Sequence, residues 1–366
     1  MNILYLINHA GKGGSEKYVK SMAEYAAAIG NNIFFSYNED GPLVSVMDVI
    51  SKDIFRLEMK SPLDFKSAKT VANYCKTNKI DLIHTQFARE NYIAILSKKL
   101  YGNKAALIHT CHINTYNNLL RQIMNKIFMG ANNKIIAVCT SMYRLLISNG
   151  YPADKVQLVY NGIHYREDFE KPETRAKPFT FITLARLSEE KGIFFLLESA
   201  KELSQKGKAF NLVIAGDGPL YEDAKEFINK NKLSEIIFLP GYCDNAKELL
   251  LNANCFINSS SSEALSFAIL EAMESGLPII ATNVGGNPDI VNDKNGNGLL
   301  VSFSNSKQMA DAMAYMMDNP EDAQRFGRNA RAAIKEIFNI DNSIKTTYNI
   351  YEEVAKATGG GTCNAH

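Results

Sequence analysis

The 366-residue chain lacks any apolar run that approaches the ~20 residues of a membrane-spanning helix, so its sequence predicts no transmembrane segment. The first residues, MNILYLI, have no basic flank and no small-residue cleavage site. They are typical of a buried strand and not of a signal peptide. We therefore expect a cytoplasmic protein.

Cysteine is scarce, and its six copies include no C-x-x-C pair. Several of them, such as Cys255, lie inside apolar runs. This pattern disfavours a disulfide framework or a zinc site and favours reduced, buried thiols.

Acidic residues are absent from 91–153, a stretch that holds seven lysines and arginines. Residues 1–160 carry a net charge of +8 and the remainder carries −7, which together give the +1 of the whole chain. The asymmetry favours an anionic surface or substrate for the first half, although chance clustering would also produce it. We expect no nucleic-acid partner.

Strand-like runs alternate with helical patterns along the chain, which predicts an α/β protein with two parallel sheets. The predicted strands are 3–7, 32–36, 82–84, 106–110, 134–138, 157–159, then 179–184, 211–215, 236–239, 254–257, 278–281 and 298–301. The predicted helices are 16–29, 64–78, 91–99, 116–130, 141–149, then 192–206, 220–231, 245–253, 266–275, 306–317, 321–336 and 341–357. A polar, proline-containing stretch at 167–178 separates the two series and reads as a linker.

The most informative motif joins a Ser-rich loop to a helix between two apolar runs. It carries two carboxylates, Glu263 and Glu271, with seven residues between them. A helix N-terminus at the carboxyl end of a strand offers N–H groups to an anion, and carboxylates accept hydrogen bonds from sugar hydroxyls. The motif therefore suits a sugar nucleotide. The alternative is that both glutamates are ordinary helix-surface residues.

A glycine-rich loop, 11–16, follows the first predicted strand and opens a helix. Its glycines, Gly13 and Gly14 among them, allow a tight turn and close approach to a phosphate. The nicotinamide-cofactor fingerprint requires a third glycine where this chain has Glu16, and the second strand does not end on a carboxylate. A dehydrogenase is therefore disfavoured.

Two cations, Arg186 and Lys191, follow the first strand of the second series. A planar guanidinium and a flexible ammonium five positions apart can converge on one diphosphate, although two surface cations would be the ordinary interpretation. The chain has no Asp-x-Asp motif, and we predict neither a metal nor a cofactor.

Three histidines lie at or near the ends of predicted strands. His112 ends the fourth strand, where a side chain leaves the sheet, and we prefer it to His109 inside the strand as a functional residue. His84, at the end of the preceding strand, is a weaker candidate for contacts with an acceptor.

These motifs together resemble the retaining glycosyltransferases of family 4, which have the two-domain GT-B architecture. Smaller matches lie at 160–163, 216–219, 238–241 and 283–289. The resemblance implies an N-terminal acceptor domain at 1–166 joined by a final helix at 341–357 and a donor domain at 177–336. Two similar-sized α/β halves around one linker imply a cleft between them, and the glycine-rich tail at 358–366 is expected to be flexible.

The resemblance also implies roles for individual residues. Those with catalytic roles are Glu263, His112, Arg186 and Lys191. The donor contacts are Glu263 to the sugar, Glu271 to the ribose, Leu265 and Ser266 to the diphosphate, and Gly13, Gly14, Arg186 and Lys191 to the phosphates. Acceptor contacts are assigned to His84 and Glu16.

An amphipathic helix predicted at 116–130 has two interpretations. Its apolar stripe is either packed on the first sheet or dipped into an anionic membrane, with Arg121 and Lys126 meeting lipid headgroups. A peripheral position on the inner face of the cytoplasmic membrane would suit an acceptor carried on a polyprenyl diphosphate.

We therefore expect a retaining transferase that moves a hexose or N-acetylhexosamine from a nucleoside-diphosphate sugar to a glycan or lipid-linked acceptor. UDP is the expected nucleotide, but the residues do not exclude GDP or ADP. Bacterial surface polysaccharide (O-antigen or capsule) biosynthesis is the expected setting. The alternatives are a non-catalytic sugar-nucleotide-binding protein and a sugar-nucleotide epimerase.

Overall fold

The chain divides into two compact α/β units. The computed structural model describes residues 1–11, 13–112, 119–167 and 177–358, and at 119–122, 124 and 129 it describes the backbone alone. Unit 1 contains Met1–Asn161 and the segment that begins at Ile340, whereas unit 2 contains Gly162–Asn339. Each unit has its own parallel sheet, which confirms the predicted fold class.

The sheet of unit 1 has seven strands in the described residues, in the order β3-β2-β1-β4-β5-β6-β7. All neighbouring pairs are parallel. The strands are β1 Asn2–His9, β2 Asn32–Glu39, β3 Asp53–Arg56, β4 Leu82–Thr85, β5 Ala106–Cys111, β6 Lys134–Ala137 and β7 Val156–Leu158.

Helices cover this sheet. They are α1 Gly14–Ala28, α2 Pro42–Ile50, α3 Phe65–Thr77, α4 Ala88–Tyr101, α5 Leu119–Phe128, α6 Thr140–Ser148 and the last helix of the chain, α14 Ile340–Ala357. Because both faces of the sheet are covered, the middle of β1 is an apolar run, and Ile3 to Ile7 have no exposed surface.

Helix α14 is fastened to the core of unit 1 by polar contacts as well as apolar packing. Thr347 Oγ1 lies 3.0 Å from the Tyr18 hydroxyl, and Asn31 Nδ2 donates to the Tyr348 hydroxyl at 2.9 Å. The Tyr351 hydroxyl lies 2.5 Å from His84 Nδ1. A buried hydroxyl needs such a partner, so these contacts fix the position of α14 on unit 1.

The sheet of unit 2 has six parallel strands in the described residues, in the order β10-β9-β8-β11-β12-β13. They are β8 Phe179–Leu184, β9 Phe210–Ala215, β10 Ile237–Gly241, β11 Cys255–Asn258, β12 Ile279–Thr282 and β13 Gly298–Val301. The helices are α7 Ile193–Gln205, α8 Tyr221–Lys230, α9 Ala246–Leu251, α10 Phe267–Glu274, α11 Asn287–Ile290, α12 Ser306–Asp318 and α13 Pro320–Glu336.

Three elements, α2, β3 and α11, were not predicted because their sequence patterns are weak. Helix α2 is rich in valine and isoleucine, which favour strands, but Pro42 at its start favours a helix. Strand β3 has four residues at the sheet edge, too few for a clear alternation. The four-residue helix α11 is likewise too short for a helical pattern to identify.

Part of the apolar stripe predicted for helix α5, which includes Ile123, Ile127 and Phe128, is exposed. Ile123 and Ile127 are 48% and 59% exposed, whereas Asn125, outside that stripe, is buried and accepts a hydrogen bond from the Tyr92 hydroxyl. Phe128 packs on Tyr92, with ring centroids 5.3 Å apart. Residues 116–118 of the predicted helix lie outside the described residues.

Candidate active site

In unit 2, the loop after β8 is docked on the loop after β11. The hydroxyl of Ser259 donates to the Lys191 carbonyl at 2.8 Å, and the Ser261 amide donates to the Glu190 carbonyl at 2.8 Å. Gly192, at φ +62°, makes the close approach possible, since a Cβ there would lie 2.1 Å from the Ser259 carbonyl oxygen. Two segments about seventy residues apart thus become one surface at the carboxyl ends of neighbouring strands.

The docked loops bring together two of the predicted catalytic side chains. Lys191 Nζ lies 2.6 Å from Glu263 Oε1, with the two side chains 26% and 10% exposed. The same oxygen accepts from Ser260 Oγ at 2.7 Å and from Asn258 Nδ2 at 3.3 Å. Three donors therefore hold one carboxylate oxygen, and the pair is largely withdrawn from water.

A buried amide network that the sequence did not predict supports this carboxylate. Asn287 Nδ2 donates to Asn258 Oδ1 and to the Thr282 carbonyl, both at 3.0 Å, and Thr282 Oγ1 donates to the Ser260 carbonyl at 2.6 Å. Gly285, at φ +54°, lies against the Glu263 backbone, where a Cβ would come within 1.7 Å of its carbonyl oxygen. These contacts fix the backbone before and at Glu263.

Arg186 lies at the base of the docked loop, with its side chain exposed. Its neighbours are anchored, because the Ala185 amide donates to the Ala215 carbonyl at 3.1 Å and the Leu187 amide to the Asp217 carbonyl at 2.9 Å. Gly216 permits this contact, since a Cβ there would lie 1.8 Å from the Ala185 carbonyl oxygen. The guanidinium thus projects from a fixed backbone.

Helix α10 begins beside this surface. Leu265 and Ser266 are buried, and Ser266 is the N-cap residue, with extended backbone and no side-chain cap hydrogen bond. The first N–H groups of a helix have no acceptor within it, so this end has the hydrogen-bond donors that an anion requires. Glu271 is half-buried and lies on the same helix.

In unit 1, His112 follows β5 and lies beside Gln86. His112 Nε2 is 2.9 Å from Gln86 Oε1, an acceptor, so Nε2 carries the proton and Nδ1 is left as the acceptor of the ring. Burial, and secondarily His109, lowers the pKa of His112 to about 3. The imidazole is therefore neutral at physiological pH.

The structure gives His84 no surface for the predicted acceptor contact. Its side chain has no exposed surface, and its ring nitrogens lie 2.5 Å from the Tyr351 hydroxyl and 2.7 Å from Thr110 Oγ1. Burial lowers its pKa well below the usual value, so the ring is a neutral part of the core. A strand-end position could not distinguish a core histidine from a functional one.

Glu16 also differs from its predicted role as an acceptor contact. It is buried in the first turn of α1, and Ser15 Oγ donates to its Oε2 at 2.8 Å. A Cβ at Gly13 would lie 2.6 Å from that same oxygen. The carboxylate is thus folded against the glycine-rich loop, where it is poorly placed for an acceptor. Gly13 is the N-cap of α1 and Gly14 its first residue, and Lys12 lies outside the described residues.

Neither a metal site nor a membrane span is found in the part of the chain that the structure describes. No three His, Cys, Asp or Glu side chains there are grouped so as to hold a metal ion. No described helix is both long and apolar enough to cross a bilayer.

Comparison with known families decides what kind of protein has this site. The family model "Glycosyltransferase Family 4" matches residues 12–167, and "Glycosyl transferases group 1" matches residues 164–333. The chain belongs to the family 4 glycosyltransferases. The match supports a glycosyltransferase over the non-catalytic and epimerase alternatives that the sequence left open.

Relatives of this glycosyltransferase come from several bacteria. It is 23% identical to an N-acetyl-alpha-D-glucosaminyl L-malate synthase of Bacillus anthracis, with 82% of each chain covered. It is 22% identical to a UDP-Gal:alpha-D-GlcNAc-diphosphoundecaprenol alpha-1,3-galactosyltransferase of Escherichia coli, covering 86% of this chain and 87% of the relative.

The fold of this glycosyltransferase is also that of solved structures. Anabaena HepE in complex with UDP superposes with a TM-score of 0.83 at 16% identity, over 96% of this chain and all of that one. The architecture is therefore GT-B, as the sequence motifs predicted.

Proposed function

We propose that this glycosyltransferase moves a hexose or N-acetylhexosamine, with retention of configuration, from a nucleoside-diphosphate sugar to a glycan or lipid-linked acceptor. The observation that carries the proposal is the Lys191–Glu263 pair beside the start of α10. A cation, a carboxylate and a set of N–H donors lie close together here, and a sugar diphosphate can use all three kinds of group.

The proposed sugar contact follows from how the two oxygens of Glu263 are used. Oε1 accepts from Lys191, Ser260 and Asn258, whereas Oε2 has no hydrogen-bond partner among the described residues. An ionised carboxylate oxygen is a strong acceptor, so Oε2 is suited to a donor-sugar hydroxyl. We therefore propose that Glu263 orients the sugar while its other oxygen orients Lys191.

The departing diphosphate is proposed to bind cations of the protein. Lys191 has further N–H donors beyond its bond to Glu263, and Arg186 presents a planar donor fork from an anchored backbone. These charges, with the N-terminus of α10 at Ser266, would stabilise the negative charge that develops as the glycosidic bond breaks. On this basis we propose a reaction that needs no metal ion, and we assign the ribose to Glu271.

Retention is proposed to occur by front-face attack. A two-step route needs a nucleophilic carboxylate at the anomeric carbon. Glu263 is instead paired with a cation and two further donors through one oxygen. In the front-face route the bond from the anomeric carbon to the diphosphate breaks, the acceptor oxygen bonds to that carbon, and the leaving phosphate takes the acceptor proton.

For unit 1 we propose that His112 contributes as a neutral group. Its Nδ1 is an acceptor because Nε2 is bound to Gln86, and its lowered pKa prevents competition from a protonated form. We further propose that Gly13 and Gly14 contact the donor phosphate, since they form the start of α1, where N–H groups are free to bind an anion.

The acceptor is proposed to be lipid-linked and reached at an anionic membrane surface. Ile123 and Ile127 lie one helical turn apart on α5, both exposed, with exposed Lys126 beside them. The E. coli relative is named for an acceptor on diphosphoundecaprenol. We propose that the enzyme works at the cytoplasmic face of the membrane in surface polysaccharide biosynthesis.

Nucleotide binding tests the donor site. We would titrate the protein with UDP, GDP and ADP by calorimetry, first in EDTA and then with magnesium. We expect UDP to bind in EDTA and the affinity to fall at least tenfold in Lys191→Gln. The matched control is Lys206→Gln, a surface lysine paired with Asp311. Binding that requires magnesium, or that is equal in both variants, would reject the proposed site.

Vesicle sedimentation tests the membrane contact. We expect binding to phosphatidylglycerol-containing vesicles that is lost in the double variant Ile123→Ser/Ile127→Ser. Val49→Ser, which removes an 87% exposed side chain from α2, is the control and should bind as the parent does. Equal binding of both variants would show that α5 makes no membrane contact.

A further inference from the structure

A cavity of about 380 Å³ lies on unit 2 against the second half of α13. Its lining includes three cations, Arg328, Arg331 and Lys335, and one aromatic ring, Tyr165. Small residues such as Gly327 and Ala332 provide the space between them. The volume falls in the range of small-molecule sites.

The cations of this lining follow one face of α13. Arg328, Arg331 and Lys335 are spaced at i, i+3 and i+7, so their side chains are neighbours on the helix surface. Like charges at such spacings repel one another, and no lining residue is acidic. The lining itself therefore supplies no acidic partner for these cations, although Glu167 and Glu274 lie close by.

Two of the three cations also have a structural role. Arg331 donates to the carbonyls of Arg166 and Glu167, at 2.9 and 3.3 Å, and lies 5.6 Å from the centre of the Tyr165 ring. Lys335 lies 5.4 Å from the same ring and 3.4 Å from the Glu167 carboxylate. These contacts attach the start of unit 2 to α13.

That structural role does not extend to Arg328. Its side chain is exposed at the cavity and makes no hydrogen bond or ion pair with any residue that the structure describes. Arg325, one turn earlier, shows the contrast, because it is paired with Asp322 at 2.6 Å and lies over the Phe326 ring. An unpaired arginine beside two further cations has the donor geometry that a phosphate group matches.

The cavity and the candidate donor site lie at opposite ends of α10. Gly276, which also lines the cavity, follows the C-terminus of that helix, whereas Ser266 caps its N-terminus. A helix of eight residues is about 12 Å long. A ligand of the cavity would therefore leave the donor site free.

We propose that the α13 cavity binds a phosphate-bearing ligand through Arg328, Arg331 and Lys335. The site is separate from the donor site, and the proposal does not rest on the reaction proposed above. Two sources share this chemistry, a free phosphorylated molecule and a phospholipid headgroup. The experiment is arranged to distinguish them.

Calorimetry with sodium pyrophosphate tests the site in full-length protein. Lys191→Gln is the background for every titration, so that the candidate donor site contributes least to the signal. In that background we expect Arg328→Gln to weaken pyrophosphate binding at least tenfold and Arg325→Gln, the matched control, to change it less than twofold. No binding in the background protein, or equal binding in the two arginine variants, would overturn the proposal.

A second variant tests whether the cavity itself, and not only the positive charge of α13, is needed for binding. Ala332→Leu fills the cavity, keeps every cation and suits an exposed helix position. We expect it to weaken pyrophosphate binding as strongly as Arg328→Gln does. Unchanged binding would show that the cavity is not the site and would overturn the proposal.

Sedimentation with phosphatidylglycerol vesicles identifies the source of the phosphate. If Arg328→Gln reduces pyrophosphate binding alone, the ligand is a free phosphorylated molecule. If it reduces vesicle binding as well as pyrophosphate binding, the ligand is a lipid headgroup. Arg325→Gln again serves as the control, and a loss of vesicle binding equal in both variants, with pyrophosphate binding unchanged in both, would count against a specific site.

Discussion

The two units surround their candidate residues in opposite ways. In unit 2, Lys191 and Glu263 are charged, partly exposed and fixed by contacts between loops. In unit 1, His84 and His109 are neutral and buried among the side chains of the sheet. The candidate residues of unit 2 are therefore partly accessible to a ligand, whereas these two histidines of unit 1 are part of the packed core.

The difference has a physical origin. A charged pair retains its charge only where water or several donors solvate it, as three donors do for Glu263 Oε1. A buried imidazole loses its charge, because burial lowers its pKa. We therefore expect substitutions in the unit 2 loops to change activity more than stability, and substitutions of the buried histidines in unit 1 to do the reverse.

The largest effect on activity is expected at Lys191. Lys191→Gln removes the cation proposed to stabilise the leaving diphosphate, so turnover should fall about 10²–10³-fold. Steady-state kinetics on the donor identified by calorimetry would measure this, with thermal unfolding as the check on folding. A variant with a lowered unfolding temperature but unchanged turnover would reverse the comparison between the units.

The largest effect on stability is expected at His84. His84→Ala opens a cavity and removes the partners of the Tyr351 and Thr110 hydroxyls, so the free energy of unfolding should fall by about 2–4 kcal/mol. Denaturant unfolding measures this change, and nucleotide affinity should persist where the variant is folded. His9→Ala, at a 54% exposed side chain, is the matched histidine control and should change stability by less than about 0.5 kcal/mol.

Most of the fold could be predicted from sequence because buried parallel strands are continuous apolar runs. Strand β1 is an example, since every residue from Ile3 to Ile7 is buried. The prediction failed at α2 and β3, where a short amphipathic pattern carries too little information. The pairing of α14 with unit 1 followed from the family resemblance and not from any local pattern.

The candidate site was predictable only in its charged residues. Arg186, Lys191 and Glu263 belong to motifs, but the roles of Asn258 and Asn287 arise from contacts between segments far apart in sequence. The Ser-rich loop was a signal for Ser260, whose hydroxyl donates to Glu263. No sequence pattern indicated a role for Gln86, because its partner His112 lies 26 residues further along the chain.

A smaller effect is expected from a substitution at Gly192, and Gly207, which also has a positive φ, serves as its control. Gly192→Ala and Gly207→Ala both place a Cβ at positive φ, which costs about 1–2 kcal/mol, but only at Gly192 does the Cβ meet a backbone oxygen. Gly192→Ala should therefore also separate the docked loops and weaken nucleotide binding, whereas Gly207→Ala should leave affinity unchanged. Equal affinities, measured by calorimetry, would show that loop docking does not position Lys191.

An effect that is confined to acidic pH is expected from the titration of a buried histidine. Burial lowers the pKa of His109 to about 4, whereas an unfolded histidine titrates near 6.5. Between these values the unfolded chain binds the extra proton, so stability falls as pH falls, by about 1.4 kcal/mol per pH unit from this group. His109→Gln should remove that contribution, and its unfolding free energy should depend less steeply on pH between 4.5 and 6. Above pH 7 the imidazole is neutral in the folded and in the unfolded state, so the unfolding free energies of the two proteins should depend on pH in the same way there. The same pH dependence over the whole range would instead mean that His109 is hydrated in the folded protein. The contrast between the two units would then be weaker than the burial of this ring indicates.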